Sequence, residues 1–375
     1  MDYTFWNGKK VLITGHTGFK GSWLSIWLQS LGAITIGYAL SAPTEPSLFE
    51  LANVERGMVS LVGDIRDLEN LKAVMAQHQP EIVFHMAAQP LVRYSYRHPV
   101  ETYTTNIIGT VNILEAVRHT PSVRTIVTIT SDKCYQNKEW VWGYRESETL
   151  GGRDPYSSSK ACAEIVISAY RDSYFSAADY NRHRVALASA RAGNVIGGGD
   201  WAVDRLIPDI MRSFMMGRSV LIRNPHATRP WQHVLQPLSG YLCVAEYLWK
   251  YGLKYAEAWN FGPNEEDAKP VVWIVEQLTK LWGNGATWEL DGGHHPHEEN
   301  YLKLDCSKAK NRLGWKPALS LEQTLEWIVD FYQSYLNKRN IRELVEDQIN
   351  RYQSLEQKTI LSRSLITQPP ALSAN

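Results

Sequence analysis

Six short apolar or β-branched runs punctuate the first half of the chain: "KKVLIT", "AITIGYA", "MVSLVGD", "EIVFHMA", "RTIVTITS" and "VALASARAGN". Between them stand "SWLSIWLQSLG", "LENLKAVMAQHQP", "TNIIGTVNILEAVRHT" and "YSSSKACAEIVISAYRDSY", where apolar residues recur at helical spacing. Strands separated by helices predict an α/β fold, with a doubly wound parallel sheet, right-handed crossovers and helices on both faces. Such sheets bind ligands beyond the C-terminal ends of their strands.

At 375 residues the chain has material for two lobes. Past Val195 the alternation loosens, and "GGGDWAVDRLIPDIMRSFMMGRSVLIRNPHATRPWQHV" reads as a pocket-forming loop segment. The helix "PLSGYLCVAEYLWK" and the strand "EAWNFGP" then return to the first lobe. The expected division is residues 1–195 with about 231–265 as a discontinuous Rossmann-type NAD-binding domain. About 196–230 with 266–336 form a smaller, mixed α/β substrate-binding lobe. Residues 337–375 form a C-terminal helix and polar tail, patternless and frayed after Leu355.

Lys plus Arg and Asp plus Glu both number 39, a balance that excludes a general nucleic-acid binder. Four scattered cysteines, with no CxxC pair, read as reduced thiols of a cytoplasmic protein. "MDYTFWNGKK" lacks the apolar core of a signal peptide, and no run reaches the ~18 apolar residues of a membrane span. Most of the 14 tryptophans read as packing, with one or two left to line a pocket.

The stretch "VLITGHTGFKGSWL" passes from strand to helix through Gly15, Gly18 and Gly21. Glycines let a phosphate approach the exposed N–H groups of a helix start, so this loop, with Thr17 and Phe19, is expected to hold a dinucleotide. Asp64 and Ile65 end the third strand on the adenosine side, Asp64 as adenine acceptor or helix N-cap. Ala87, Ala88 and Gln89 follow the fourth strand, where bulk would strike the cofactor. The second strand ends in neither Asp nor Glu, and "SAPTEPS" offers no cation for a 2′-phosphate. NAD is therefore expected over NADP, with unusual ribose contacts.

"DPYSSSKACAE" sets Tyr156 and Lys160 at i and i+4, on one helix face, where an ammonium would favour the phenolate. Ser131 lies at a strand end 25 residues upstream. Together these residues resemble the Ser/Thr–Tyr–Lys set of the short-chain dehydrogenase/reductase superfamily, in its extended branch that modifies sugar nucleotides. The resemblance runs from about Lys9 to Pro317. Nucleotide-sugar 4,6-dehydratases carry Thr-Asp-Glu at this strand end, and here Ser131-Asp132-Lys133 stands instead. With "GHTGFKGSWL", "AAQPLVRYSY", "GGGDWAVDRLIPD" and "RPWQHVLQPL", it is similar to the members of that family acting on CDP-glucose.

The resemblance implies a lyase in which hydride leaves carbon 4 for NAD and returns at carbon 6, giving a 4-keto-6-deoxy sugar nucleotide. That product opens routes to deoxy sugars of cell-surface polysaccharide such as O-antigen. Tyr156 would take the hydroxyl proton at carbon 4. Lys133 and Asp132 would serve as base at carbon 5 and acid at carbon 6, and which of the two is the base stays open. The family also implies substrate contacts for Arg93, Ser95, Tyr96 and Asn194. Arg205 and Arg229 are candidates for the diphosphate. His297 and Tyr301 in "GGHHPHEENY" are read as nucleotide contacts, and the stretch lacks the helical HExxH spacing of a zinc site. A homodimer or homotetramer is implied. The alternatives are a dehydratase or epimerase for another nucleotide sugar and, from a different class, a non-catalytic NAD-binding regulator.

Overall fold

The apolar runs become strands β1 (Lys10–Thr14), β2 (Ile34–Ala39), β3 (Val59–Val62), β4 (Ile82–His85), β5 (Thr125–Ile129) and β6 (Ala186–Ala192) in a computed structural model, which describes residues 1–293 and 302–366. Short strands β7 (Val195–Ile196), β8 (Val220–Ile222), β9 (Thr228–Pro230) and β10 (Gln232–His233) follow, and β11 (Ala258–Phe261) completes the sheet. The order β3-β2-β1-β4-β5-β6-β11 is parallel throughout. β4, β5 and β6 are buried along their whole length, as strands covered by helices on both faces must be. The order reverses between β1 and β4, which opens a crevice at their C-terminal ends.

The segment after Val195 is more regular than its composition suggests. It holds the helix Leu206–Met215, whose Ile207, Ile210, Met211 and Phe214 are buried at helical spacing. Pro208 sits in the first turn, where its missing N–H costs no internal hydrogen bond. With β12 (Ala268–Pro270) and β13 (Trp288–Leu290) the short strands form three pairs, β7 with β10, β9 with β12 and β8 with β13. The helices Val271–Trp282 and Leu321–Leu336 pack against each other beside them.

The expectation that order ends at Leu355 is wrong. A helix spans Ile341–Ile366, and Val345, Ile349, Tyr352 and Glu356 form its buried stripe. The stripe fades from the sequence because its last member is a carboxylate, which accepts from the Tyr3 hydroxyl. Tyr352 meets Trp27 edge to face, so this helix covers the helix Phe19–Ser30. Among the 14 tryptophans only Trp142 stands mainly in solvent. Among the described residues no helix is long and apolar enough to cross a membrane.

Candidate active site

At the C-terminal end of β1 the chain turns through Gly15 at φ +78°. A Cβ there would lie 2.8 Å from the Ala87 nitrogen, and one at Gly21 would collide with the Gly15 carbonyl oxygen. The helix Phe19–Ser30 starts at Gly18 without a side-chain cap, leaving its first N–H groups to the loop. A helix start with no competing side chain, under a loop that tolerates no Cβ, fits a dinucleotide diphosphate. Thr17 donates to the Leu40 carbonyl at 2.9 Å and ties this loop to the end of β2.

On the adenosine side Asp64 accepts from the Arg66 backbone at 2.9 Å and from its guanidinium at 2.6 and 3.0 Å. Those hydrogen bonds hold its carboxyl below the usual range. The helix N-cap next to it is Asp67. Ile65 is buried beneath Gly109. In a crevice without a carboxylate on β2, the His16 ring packs against Gly37 and bonds Ser60 at 2.8 Å. Burial pushes this imidazole down to about 4, so it is neutral.

After β4, Ala87 and Ala88 precede Gln89, whose backbone N–H donates to Asn106 Oδ1 at 2.8 Å. Asn106 donates in turn to the Gln89 carbonyl at 3.1 Å and to Ser159 at 2.8 Å. It sits in a π-helical turn, Thr104–Ile108, where a continuous α-helix was expected. The extra residue turns the amide inward between β4 and the helix Pro155–Ser173.

Ser131 caps the turn Asp132–Cys134, accepting from the Lys133 N–H at 3.2 Å and donating to Asp132 at 3.0 Å. Its hydroxyl is near enough to the Tyr156 phenol to favour the phenolate. The helix Pro155–Ser173 begins at Asp154, which accepts from Ser157, and presents Tyr156, Lys160 and Glu164 in successive turns. Ser131, Asp132, Tyr156 and Lys160 are thus brought together and buried, with Lys133 half-buried beside them. Burial pushes the Tyr156 phenol up to about 12, against the pull of Ser131 and Arg205, and lowers Lys160 to about 8. Burial thus opposes the expected phenolate, and Ser131 and Arg205 favour it.

The other predicted contacts divide. Arg205 donates to Asp200 at 2.8 Å, and its charge reaches Tyr156. Arg93 pairs with Asp204 at 3.4 Å, and Tyr96 is exposed. Ser95, expected to face substrate, is instead buried, donating to the Val92 carbonyl and accepting from the Tyr156 N–H at 3.2 Å. Asn194 precedes β7 and accepts from the Gln232 N–H at 3.1 Å, while Arg229 lies on β9. His297 and Tyr301 lie outside the described residues.

Two neighbours of this cluster were not singled out in the sequence. Lys20 approaches the Tyr241 hydroxyl at 3.4 Å, and burial, then Arg205 and Lys160, lower it to about 7. Glu164 accepts from Thr130, from Ser189 at 2.8 Å and from Arg191 at 2.7 Å, all buried. Spacing of four from Lys160 was its only signal.

Comparison with known proteins gives the family and the fold. Residues 12–328 match the family described as GDP-mannose 4,6 dehydratase. The chain is 58% identical over 354 residues to CDP-glucose 4,6-dehydratase of Salmonella typhimurium, covering 94% of this chain and 99% of that protein. It is 26% identical over 347 residues to dTDP-glucose 4,6-dehydratase of Haemophilus influenzae, covering 86% and 97%. A dTDP-glucose 4,6-dehydratase of Bacillus anthracis solved in complex with NAD shares the fold at TM-score 0.70 and 24% identity, over 88% of this chain and 99% of that one.

Proposed function

The chain belongs to the GDP-mannose 4,6-dehydratase family, and from that premise we propose that it is an NAD-dependent hydro-lyase converting CDP-glucose to CDP-4-keto-6-deoxyglucose. The observation that carries the reading is the meeting of Ser131, Asp132, Tyr156 and Lys160 at the C-terminal end of the sheet, beside the glycine loop. Gly15, Thr17, Gly18, Phe19, Gly21, Asp64, Ile65, Ala87, Ala88 and Gln89 would hold NAD, which would supply an internal two-electron acceptor restored within each turnover.

Tyr156 receives the proton of the carbon 4 hydroxyl, relayed against Ser131. Tyr156 takes that proton as the phenolate, which Ser131 and Arg205 favour against burial. Lys160 keeps its proton and steadies the Tyr156 phenolate before that transfer. The ketone acidifies the hydrogen at carbon 5, which neutral Lys133 would remove as a proton and return once carbon 6 has regained hydride, while protonated Asp132 donates to the departing hydroxyl of carbon 6. Arg205 and Arg229 face the diphosphate, with Arg93, Tyr96 and Asn194 around the sugar. A buried acid beside a half-buried base supports this order of roles.

The cofactor lobe is taken as residues 1–195 with about 231–265, and the rest to 336 as the substrate lobe. The enzyme works in the cytoplasm as a homodimer or homotetramer. Val100, Tyr103, Ile108 and Ile165 are large apolar side chains exposed along neighbouring helices, a face suited to a second copy. Sedimentation of the purified chain tests that assembly.

Incubation with CDP-glucose deuterated at carbon 4 tests the reaction. The product should carry the label at carbon 6, by mass and NMR. Label kept at carbon 4 or lost to water would refute it. Parallel incubations with dTDP-, GDP- and UDP-sugars test the base, and conversion of one of these alone would move the assignment to another nucleotide.

A further inference from the structure

Tyr156, Lys160 and Glu164 form one series along a helix face. Glu164 is the member no catalytic motif includes, yet it has the densest contacts of the three. Its carboxylate accepts from Thr130, which directly precedes Ser131, Asp132 and Lys133, and from Ser189 and Arg191 on β6. Arg191 continues to the Tyr135 hydroxyl at 2.7 Å and the Glu146 carbonyl at 3.0 Å. Tyr135 donates to Asn260 on β11 at 2.8 Å. A buried ion pair is often no more stabilising than apolar residues of the same volume, so its place here asks for another reason.

We propose that Glu164 is a positioning residue for the dehydration: it locks the strand end bearing Ser131, Asp132 and Lys133 to the helix bearing Tyr156 and Lys160, and holds the Lys160 proton in place. This rests on the function proposed above. Lys160 stands one turn from Tyr156 and one from Glu164 on its own helix, and the turn Asp132–Cys134 packs against that helix with Cys134 in electrostatic reach of the ammonium. His85 on β4 and Lys20 on the helix Phe19–Ser30 also interact with its charge. Burial keeps His85 neutral and raises the Cys134 thiol, so neither supplies a charge to hold Lys160. Burial drives the Lys160 proton off, and Glu164 is the foremost group opposing it.

The test compares the full-length chain with Glu164→Gln, Glu164→Asp and the doubly uncharged Glu164→Gln/Arg191→Gln, each first checked by thermal melting and NAD titration. Turnover of CDP-glucose is then followed against pH. In Glu164→Gln the alkaline limb of kcat should move down by roughly one pH unit, the low end of what a nearby opposite charge is worth, and in the double variant, which also loses the Arg191 charge, by less. Glu164→Asp should restore its position, and KM should stay within about twofold. A folded, NAD-binding Gln variant with the original limb and kcat overturns the proposal. So does failure of all three variants to fold, which would assign the pair to folding alone. A parent chain that makes no 4-keto-6-deoxy product removes the underlying reading instead, so the two failures are distinguishable.

Discussion

The seven-stranded sheet and the three strand pairs beyond β6 use similar residues and hold their shape in different ways. β4, β5 and β6 run four to seven residues with every side chain buried. β7 and β10 have two residues each, and β8 alternates buried with exposed. Strands that short do not stand alone in water, and here the helices Leu206–Met215, Val271–Trp282 and Leu321–Leu336 hold them. The sheet fixes the groups that carry the chemistry. The pairs fix Asn194 and Arg229, which we propose for contact with the nucleotide sugar.

The largest test of that division is Tyr156→Phe, which removes one oxygen at the sheet end. Turnover should fall by about 10³-fold, within the range of general acid–base catalysis, with NAD affinity and melting temperature kept. Turnover within tenfold of the parent would place the reaction elsewhere. Next is Gly21→Ala, where the new methyl meets the Gly15 carbonyl. It should cost about 1–3 kcal/mol by overpacking and weaken NAD binding at least tenfold, on the scale of ~1.4 kcal/mol per decade. Unchanged melting and titration curves would show that the loop gives way.

On the strand pairs, Arg229→Ala should raise KM for CDP-glucose roughly tenfold, the worth of one charge-assisted hydrogen bond, and leave kcat within about threefold. A collapse of kcat with unchanged KM would mean that β9 takes part in the chemistry. The smallest effect concerns acid. His85 on β4 and His233 on β10 are both buried, and burial pushes each down to about 3. Below its ordinary value near 6.5 an unfolded histidine gains a proton that the folded one refuses. The stability of both regions is therefore full above pH 6.5 and falls between there and pH 3. Each should lose about 1 kcal/mol between pH 7 and pH 5.5 in urea unfolding. If His233→Asn leaves that slope untouched, the pairs unfold separately from the sheet.

The sheet was legible because fully buried strands write continuous apolar runs. The helix Leu206–Met215 was hidden by Pro208 and the glycines before it, although its apolar residues kept helical spacing. The C-terminal helix outlasts its visible pattern because Glu356 is buried by Tyr3, a partner some 350 residues away that no local window contains. In the site, Ser131, Tyr156 and Lys160 could be read from spacing and from a strand end. Ser95 could not, since its hydroxyl faces backbone. Lys20 was masked by the glycines around it, and Tyr241 reaches Asp132 and Tyr156 only through tertiary packing.

The π-helical turn at Thr104–Ile108 has a consequence for how this chain can vary. A residue advances an α-helix by about 100°, so removing one there would restore a regular spiral and swing Asn106 off Gln89 and Ser159. Exchanges of side chain at Thr104 or Ile108 leave that phase alone. Length in this stretch is thus under tighter constraint than composition, and descendants of this chain can drift in letters there but not in count.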